Sequence, residues 1–224
     1  MPERRKANPG LDLATVDRLL TGTRAVRRGL DLERPVALAT VRECIRLAQH
    51  APVAENLPLA RWLVVHDGSK RARLAEIYAR GIPGIRARAE ASADDAARRL
   101  YASAEWLAAN LARVPVLVVP CLVARPPAAF SPITCATLYG SILPAVWSFQ
   151  LALRSRALGS VFTTLHLSFE DDARTLLGIP PEALQVALIP IAHVKSPTSR
   201  PAMRPPVEDV AYLDTWGRPF EETS

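Results

Sequence analysis

The sequence predicts a single α+β domain, residues 1–224, in which amphipathic helices cover a small number of buried strands. Two observations support this class. Apolar residues at helical spacing alternate along the chain with short runs of strand-forming residues. The composition, 49% hydrophobic and 22% charged, is ordinary for a folded protein. At 224 residues the chain can build one sizeable core, and neither an internal repeat nor a clean linker divides it.

The N-terminal half is predicted to contain three short helices, one strand and a longer helical segment, after a flexible tail at residues 1–10. Apolar periodicity predicts the short helices at Leu11–Leu20, Thr40–His50 and Ser69–Ala79. Ser69 is expected to be the N-cap of the third helix. Strand-forming residues predict a strand at Trp62–Val65. The alanine-rich, charged segment Ile85–Ala112 is predicted to form one long helix or two, partly exposed and suited to covering a site.

The second half is organised around an apolar stretch from Ile133 to Thr164. Its apolar residues recur at spacings of three and four, and the opposite face is barely more polar. Such a helix is expected to be buried, in a core or in a subunit interface. Arg154 and Arg156 suit its last turn, and Gly159 is expected to end it. The following residues, 160–165, are rich in strand formers and could present backbone and hydroxyl groups to a ligand.

Two buried strands, one further helix and a C-terminal arm complete the predicted domain. Continuous apolar runs predict strands at Val114–Val123 and Leu184–Val194. Ser168 and Asp171 form a variant capping box, which predicts a helix beginning there. The proline-rich arm, residues 195–224, carries apolar residues but cannot build a core by itself. It is therefore expected to cross to the surface of a partner subunit.

Composition and charge limit the classes of partner. The formal net charge is +6, and lysine occurs only at Lys6, Lys70 and Lys195, so arginine carries nearly all of the positive charge. Arginine suits phosphate and carboxylate groups, but no basic stripe with interleaved aromatics is present, so no nucleic-acid partner is expected. No apolar run reaches the ~18 residues of a membrane helix, and no secretory signal is evident. These features predict a cytoplasmic protein whose three cysteines stay reduced.

Self-contained catalytic chemistry is not evident in the sequence. The four histidines have no chelating spacing, so no metal site is predicted. A nucleophile elbow, a phosphate loop and a dinucleotide glycine fingerprint are all missing from the sequence. His166 differs from the other histidines because it lies at the exit of the organising stretch. An enzyme with this sequence would therefore use a bound cofactor for the reactive chemistry.

Four separated segments, taken in order, resemble the FMN-dependent nitroreductase family over roughly Leu19 to Trp216. They are the basic cluster Arg24–Arg28, the loop Ala51–Asn56, the segment Gly159–Leu165 and Arg204 before two prolines. Longer stretches also look like an actinobacterial branch of the family, at Thr23–Leu32, Tyr139–Phe149 and Thr163–Leu167. The resemblance implies a nitroreductase-like mixed β-sheet flanked by helices, in an intertwined homodimer with FMN at the subunit interface.

The resemblance also implies roles for ten residues, none of them catalytic, because the flavin carries the chemistry. Arginine forks bind a phosphate dianion, and the segments matching the family's phosphate site are Arg24, Ala25, Arg27 and Arg204. The loop matching the one whose asparagine hydrogen-bonds the flavin ring contributes Pro52, Val53 and Asn56. The segment matching the other side of the ring contributes Thr163, Thr164 and Leu165.

The flavin loop departs from the family pattern. Val53 stands where serine or threonine is usual, Glu55 replaces a small residue, and Pro58 replaces a glutamine. A glutamate beside a reduced flavin would disfavour its anionic form by charge repulsion. These changes bear on FMN affinity and substrate range rather than on the fold.

The function that the resemblance implies is transfer of hydride from NAD(P)H, through FMN, to a small nitro, quinone or enone acceptor in a ping-pong cycle. Two alternatives remain open at this point. One is an FMN-dependent dehydrogenase or oxidase of a specialised substrate. The other is a flavin-poor paralogue that serves as a non-catalytic binding or dimerisation protein. The sequence specifies neither the physiological substrate nor the choice between NADH and NADPH.

Overall fold

The computed structural model of the protein describes residues 10–54, 59–124, 131–196 and 201–220. The α-helices in these ranges are α1 (Leu13–Gly22), α2 (Leu38–Ala48), α3 (Gly68–Ala79), α4 (Ile82–Glu90), α5 (Asp95–Asn110), α6 (Pro132–Gly140), α7 (Leu143–Arg154) and α8 (Glu170–Leu177). The strands are β1 (Leu30–Asp31), β2 (Ala60–Val65), β3 (Val116–Leu122), β4 (Leu158–Ser160), β5 (Leu184–Gln185) and β6 (Ile189–Val194).

The strands form one sheet with β3 at its centre. The order is β1-β6-β3-β2, with β4 also paired to β6 and β5 also paired to β3. Every pairing between these described strands is antiparallel. The α+β class and the helix-flanked sheet are therefore confirmed. The parallel component of the expected mixed sheet is not found among the described strands.

Alternate residues of β3 enter two separate hydrophobic cores, because successive side chains of a strand point to opposite faces of the sheet. On one side, which we call the α3 face, helices α3, α5 and α8 cover Leu117, Val119 and Cys121. On the other side, the α2 face, helices α2 and α7 cover Val116, Val118 and Leu122. All seven residues of β3 are buried. Burial on both faces explains why the predicted central strand is a continuous apolar run.

Two predicted helix caps are wrong. The N-cap of α3 is Asp67 rather than Ser69, since the Asp67 carboxylate accepts a hydrogen bond of 2.8 Å from the Lys70 amide. The predicted capping box of Ser168 and Asp171 does not form, because a 3₁₀ helix at Leu165–Phe169 runs directly into α8. That turn places Ser168 inside helical structure instead of at the helix boundary.

The apolar stretch at Ile133–Thr164 forms two helices. They are α6 and α7, which meet at Ser141 and Ile142. Helix α7 buries one face, with Phe149 and Leu153 fully inside the α2-face core, but Leu143 and Trp147 are exposed, so the expected burial on nearly all sides is not found within one chain. Helix α6 buries no residue. Gly159 does not end the helix either. A left-handed φ of +56° falls on Ala157, and Gly159 lies within β4.

By length and composition, Pro132–Arg154 is apolar enough to cross a membrane. This is weak evidence for a membrane span, because the core helix of a soluble protein passes the same test. In this chain 44% of the most apolar window is buried inside the fold, and the stretch is divided between two helices.

Two further predicted elements are divided. Ile85–Ala112 contains the end of α4 and the whole of α5, which is the two-helix alternative. Leu184–Val194 is interrupted between β5 and β6, where the chain changes partners: the Val186 amide donates to the Pro120 carbonyl of β3, and Leu188 pairs with Thr163.

The described part of the C-terminal arm, residues 201–220, exposes apolar side chains. Trp216 is 89% exposed and Met203 is 97% exposed. The arm is ordered by contacts within itself, such as the hydrogen bond of 3.0 Å from the Phe220 amide to the Ala211 carbonyl. The predicted tail falls almost wholly outside the described residues.

Candidate functional site

The predicted phosphate segment lies against the strand that follows α7. The Val26 amide donates a hydrogen bond of 2.9 Å to the Ser160 carbonyl at the end of β4. The close approach depends on Gly159, because a Cβ there would lie 2.7 Å from Val194 Cγ1 and 3.2 Å from Val26 Cβ. The structure therefore brings the segment containing Arg24, Ala25 and Arg27 next to the start of the predicted ring segment.

Tyr78 of α3 links these two segments. Its hydroxyl lies 2.8 Å from Thr163 Oγ1, and its side chain is 2% exposed on the α3 face. Burial raises the pKa of Tyr78, while its hydrogen bond to Thr163 and the nearby charge of Arg27 lower that pKa by less. The backbone of Thr163 is fixed independently, because it exchanges hydrogen bonds of 3.1 and 2.7 Å with Leu188.

Arg27 is a half-buried cation beside this pair. Burial lowers the pKa of its guanidinium, and Tyr78 opposes that shift. Among the residues that the structure describes, no carboxylate or other acceptor binds this guanidinium. A desolvated cation without an anionic partner is costly, so this position suits an anionic ligand. Arg24 and Ala25 are exposed beside it.

The rest of the predicted ring segment surrounds this point. Thr164 is exposed, and its carbonyl accepts a hydrogen bond of 2.9 Å from the Leu167 amide. Leu165 is half-buried and packs so tightly on Gly81 that a Cβ at Gly81 would lie 2.5 Å from Leu165 Cδ1. Gly81 directly precedes α4, so this contact ties the segment to the α4–α5 pair.

The predicted flavin loop lies elsewhere. Pro52 and Val53 line a cavity of about 640 Å³ together with Ala48, Trp62 and Ala145. Both Ala48 and Trp62 belong to the α2-face core, whereas Tyr78 and Leu165 belong to the α3-face core. Within one chain the two predicted halves of the site therefore lie on opposite faces of the sheet. Asn56, with Glu55 and Pro58, lies outside the described residues.

Arg204 is not brought to the other arginines in this structure. It is exposed, and the guanidinium hydrogen bond that the structure describes is a local one of 3.1 Å to the Met203 carbonyl. The arm that carries it is the exposed segment of residues 201–220.

Sequence reasoning missed Tyr78, which joins residues 85 positions apart in the chain. The signal available was weak: a tyrosine at a core position of a helix needs a hydrogen-bond partner for its hydroxyl. His166, singled out for its position, is fully buried on the 3₁₀ helix, and burial lowers its pKa to about 4. Neither of its ring nitrogens has a hydrogen-bond partner among the described residues.

A protein-family model described as the nitroreductase family matches residues 20–193. The chain belongs to the nitroreductase family. The matched range contains the arginine segment, the flavin loop and the ring segment, and it ends before the C-terminal arm. No curated protein matches the sequence at a significant level.

Solved structures of several flavin proteins share the fold of this chain at low sequence identity. An oxidised iodotyrosine deiodinase bound to FMN and 3-iodo-L-tyrosine is 18% identical, with a TM-score of 0.68, covering 88% of this chain and 100% of its own. The FMN-dependent nitroreductase NfnB from Mycobacterium smegmatis, in complex with NADPH, is 20% identical, with a TM-score of 0.66 and coverages of 91% and 100%. A BluB-like flavoprotein from Clostridium difficile 630 is 16% identical, with a TM-score of 0.65 and coverages of 92% and 100%.

Proposed function

We propose that this nitroreductase-family chain is an FMN-dependent oxidoreductase. The observation that carries the proposal is Arg27, a half-buried cation with no anionic partner among the described residues, which interacts electrostatically with the Tyr78 that contacts Thr163. A phosphate dianion would supply the missing charge. Structural relatives crystallised with FMN or described as flavoproteins support the same cofactor.

The residues present fit FMN in two groups. Arg24 and Arg27 would hold its phosphate, and Thr163, Thr164 and Leu165 would lie along its ring. Bound FMN would supply the redox chemistry, taking hydride from NAD(P)H and passing electrons to a small nitro, quinone or enone acceptor in two separate half-reactions. The chain itself would bind the cofactor and orient it toward the substrate. The buried Tyr78, in hydrogen-bond contact with the half-buried Thr163, would form the floor of the site, and Leu165 packed against Gly81 would form one wall.

We further propose that the complete site forms between two copies of the chain, each a single domain. Pro52 and Val53 share a cavity with residues of the α2-face core, whereas Val26, next to Arg27, and Tyr78, the partner of Thr163, belong to the α3-face core. Two such halves can meet only if one protomer supplies the loop, with Asn56, and its partner supplies the arginine and ring segments. An intertwined homodimer meets this requirement.

The C-terminal arm suits the same assembly. Its exposed apolar side chains, among them Trp216 and Met203, have no cover within the described part of one chain. Crossing to a partner would bury them and would carry Arg204 toward the partner's phosphate site. Burying apolar area is the main driving force for such an association.

The proposal includes a hydride donor, NAD(P)H, and a class of small organic acceptor. A relative crystallised with NADPH supports a nicotinamide donor. A second candidate, an FMN-dependent enzyme of one specialised substrate, is favoured by Val53 and Glu55 in the flavin loop. Structural relatives described as an iodotyrosine deiodinase and a BluB-like flavoprotein support this candidate.

Cys44 and Cys121 are buried and unpaired, which suits a reducing cytoplasm.

The deciding experiment is FMN binding by the purified protein. The dissociation constant would be measured from flavin fluorescence, and the bound spectrum from absorbance after gel filtration. Losing a charged hydrogen-bond partner costs roughly 10- to 100-fold in affinity, so Arg27→Ala is expected to weaken FMN binding by that factor. Arg73→Ala is the matched control, since Arg73 forms an exposed pair with Glu76 on α3.

Three results bear on the proposal in different ways. A flavin spectrum that bleaches anaerobically with NAD(P)H supports both the FMN cofactor and the nicotinamide donor. A flavin spectrum that bleaches only with another reductant supports the specialised enzyme. A colourless protein that takes up no added FMN refutes both and favours the non-catalytic binding protein.

A further inference from the structure

Tyr78 occupies a position that neither packing nor backbone geometry requires to be tyrosine. Its ring fills the α3-face core, a task that phenylalanine would perform equally well. The backbone of Thr163 is already held by two hydrogen bonds to Leu188. The phenol hydroxyl of Tyr78 therefore acts on one group, the Thr163 side-chain hydroxyl 2.8 Å away.

The geometry allows either hydroxyl to be the donor of this hydrogen bond, so the acidity of the two groups decides which direction is favoured. Arg27 carries a permanent positive charge and has no acceptor to offer. Its field stabilises negative charge on the phenol oxygen, which offsets part of the rise in the pKa of Tyr78 that burial causes. A phenol is also a more acidic donor than an aliphatic alcohol. This difference in acidity favours Tyr78 as the donor and Thr163 Oγ1 as the acceptor, an arrangement that leaves Thr163 its own proton to donate elsewhere.

We propose that Tyr78 is a positioning residue of the flavin site, which couples Arg27 to Thr163 and directs the Thr163 hydroxyl proton toward an acceptor on the bound ligand. The inference rests on the proposed FMN function. It adds a link between the phosphate end and the ring end of the site, made by a residue of α3 that belongs to neither segment.

The Thr163 hydroxyl would otherwise be free to rotate. A hydroxyl already committed as an acceptor to Tyr78 has fewer orientations left for its own proton. The ligand then meets a pre-oriented donor and loses less entropy on binding. Removing the Tyr78 hydroxyl leaves the Thr163 backbone in place but frees the side chain.

The test is a double-mutant cycle measured on FMN binding. Tyr78→Phe, Thr163→Val and the double variant would be titrated with FMN by fluorescence, and the absorption spectrum of bound flavin would be recorded for each. Thr163→Ser keeps the hydroxyl and should keep the coupling. Tyr101→Phe of α5 is the matched control, because the structure describes no hydrogen bond for its hydroxyl. Thermal melting of the flavin-free proteins would report any general loss of folding.

Tyr78→Phe is expected to weaken FMN binding about 3- to 10-fold and to shift the bound-flavin absorption bands. In the Thr163→Val background the same change should alter FMN affinity less than 2-fold, because the group through which Tyr78 acts is gone. In the Thr163→Ser background the full effect should return.

Each other outcome overturns the inference. If wild-type protein binds FMN and Tyr78→Phe binds it equally well, Tyr78 has no positioning role and the proposed function stands. If the Tyr78→Phe effect persists undiminished beside Thr163→Val, Tyr78 acts by another route. If wild-type protein binds no FMN, the proposed function fails and this inference fails with it.

Discussion

Replacing the buried histidine His166 should remove an acid sensitivity that is built into the fold. His166 is fully buried, and neither ring nitrogen has a hydrogen-bond partner among the described residues. Burial lowers its pKa from 6.5 to about 4, because a charged imidazolium cannot be solvated there. The folded chain therefore holds this side chain neutral at pH values where the unfolded chain protonates it.

The size and sign of the effect follow from the two pKa values. Well above pH 6.5 the imidazole is neutral in both states, so its titration makes no contribution to the pH dependence there. Between pH 6.5 and about 4 the unfolded chain binds more protons, so the free energy of unfolding falls as the pH falls. The loss attributable to His166 is about 2 kcal/mol at pH 5 and approaches about 3 kcal/mol near pH 4.

The assay is urea unfolding of flavin-free protein at pH 7 and pH 5, at one fixed protein concentration. His166→Leu should be as stable as the wild type at pH 7 or more stable, because two unpaired buried nitrogens are removed. It should also lose about 2 kcal/mol less than the wild type on going to pH 5. His66→Leu is the control, because His66 is exposed. Equal losses in wild type and His166→Leu would refute the reasoning.

Three other substitutions test the packing and the assembly. Gly81→Ala should weaken FMN binding and lower the free energy of unfolding by roughly 1–3 kcal/mol, because the added Cβ clashes with Leu165. Gly84→Ala is the control and should change neither quantity, because a Cβ there meets nothing within 4 Å. Unchanged FMN affinity in Gly81→Ala would contradict the prediction. Gly159→Ala should lower the free energy of unfolding by roughly 1–3 kcal/mol and should displace the arginine segment, which would weaken FMN binding. Unfolding and FMN titration measure the two effects, and no change in either would contradict the close approach at Gly159. Trp216→Ser should shift a dimer toward monomer in sedimentation at micromolar protein, and an unchanged sedimentation coefficient would separate the arm from the assembly.

Much of the secondary structure was predictable, because local patterns determine it. The run at Val114–Val123 contains the central strand, since burial on both faces leaves no polar alternation. The errors arise where tertiary contacts override local signals. Asp67 rather than Ser69 caps α3, because both are good capping residues and backbone geometry selects one of them. The strand predicted at Leu184–Val194 breaks because it serves two partners.

The candidate site was predictable only in part. The segments containing Arg27 and Thr163 could be recognised from their order along the chain, and the structure brings them together. Tyr78 could not, because its role depends on a contact with Thr163 across the fold. The separation of Pro52 from Arg27 by the sheet is also a property of topology, which no local pattern records.

In the proposed dimer, that separation would place the two halves of each site on different protomers, so that defects in the two halves could complement each other. Consider a protomer altered at Arg27 and a second altered in the Pro52–Val53 loop, each inactive as a homodimer. In a mixed dimer of the proposed architecture, one site receives both defects and the other receives neither. When the two inactive proteins are mixed under conditions that allow subunit exchange, activity should therefore return, because one of the two sites in each mixed dimer is intact. A site built within one chain would show no such rescue at any mixing ratio.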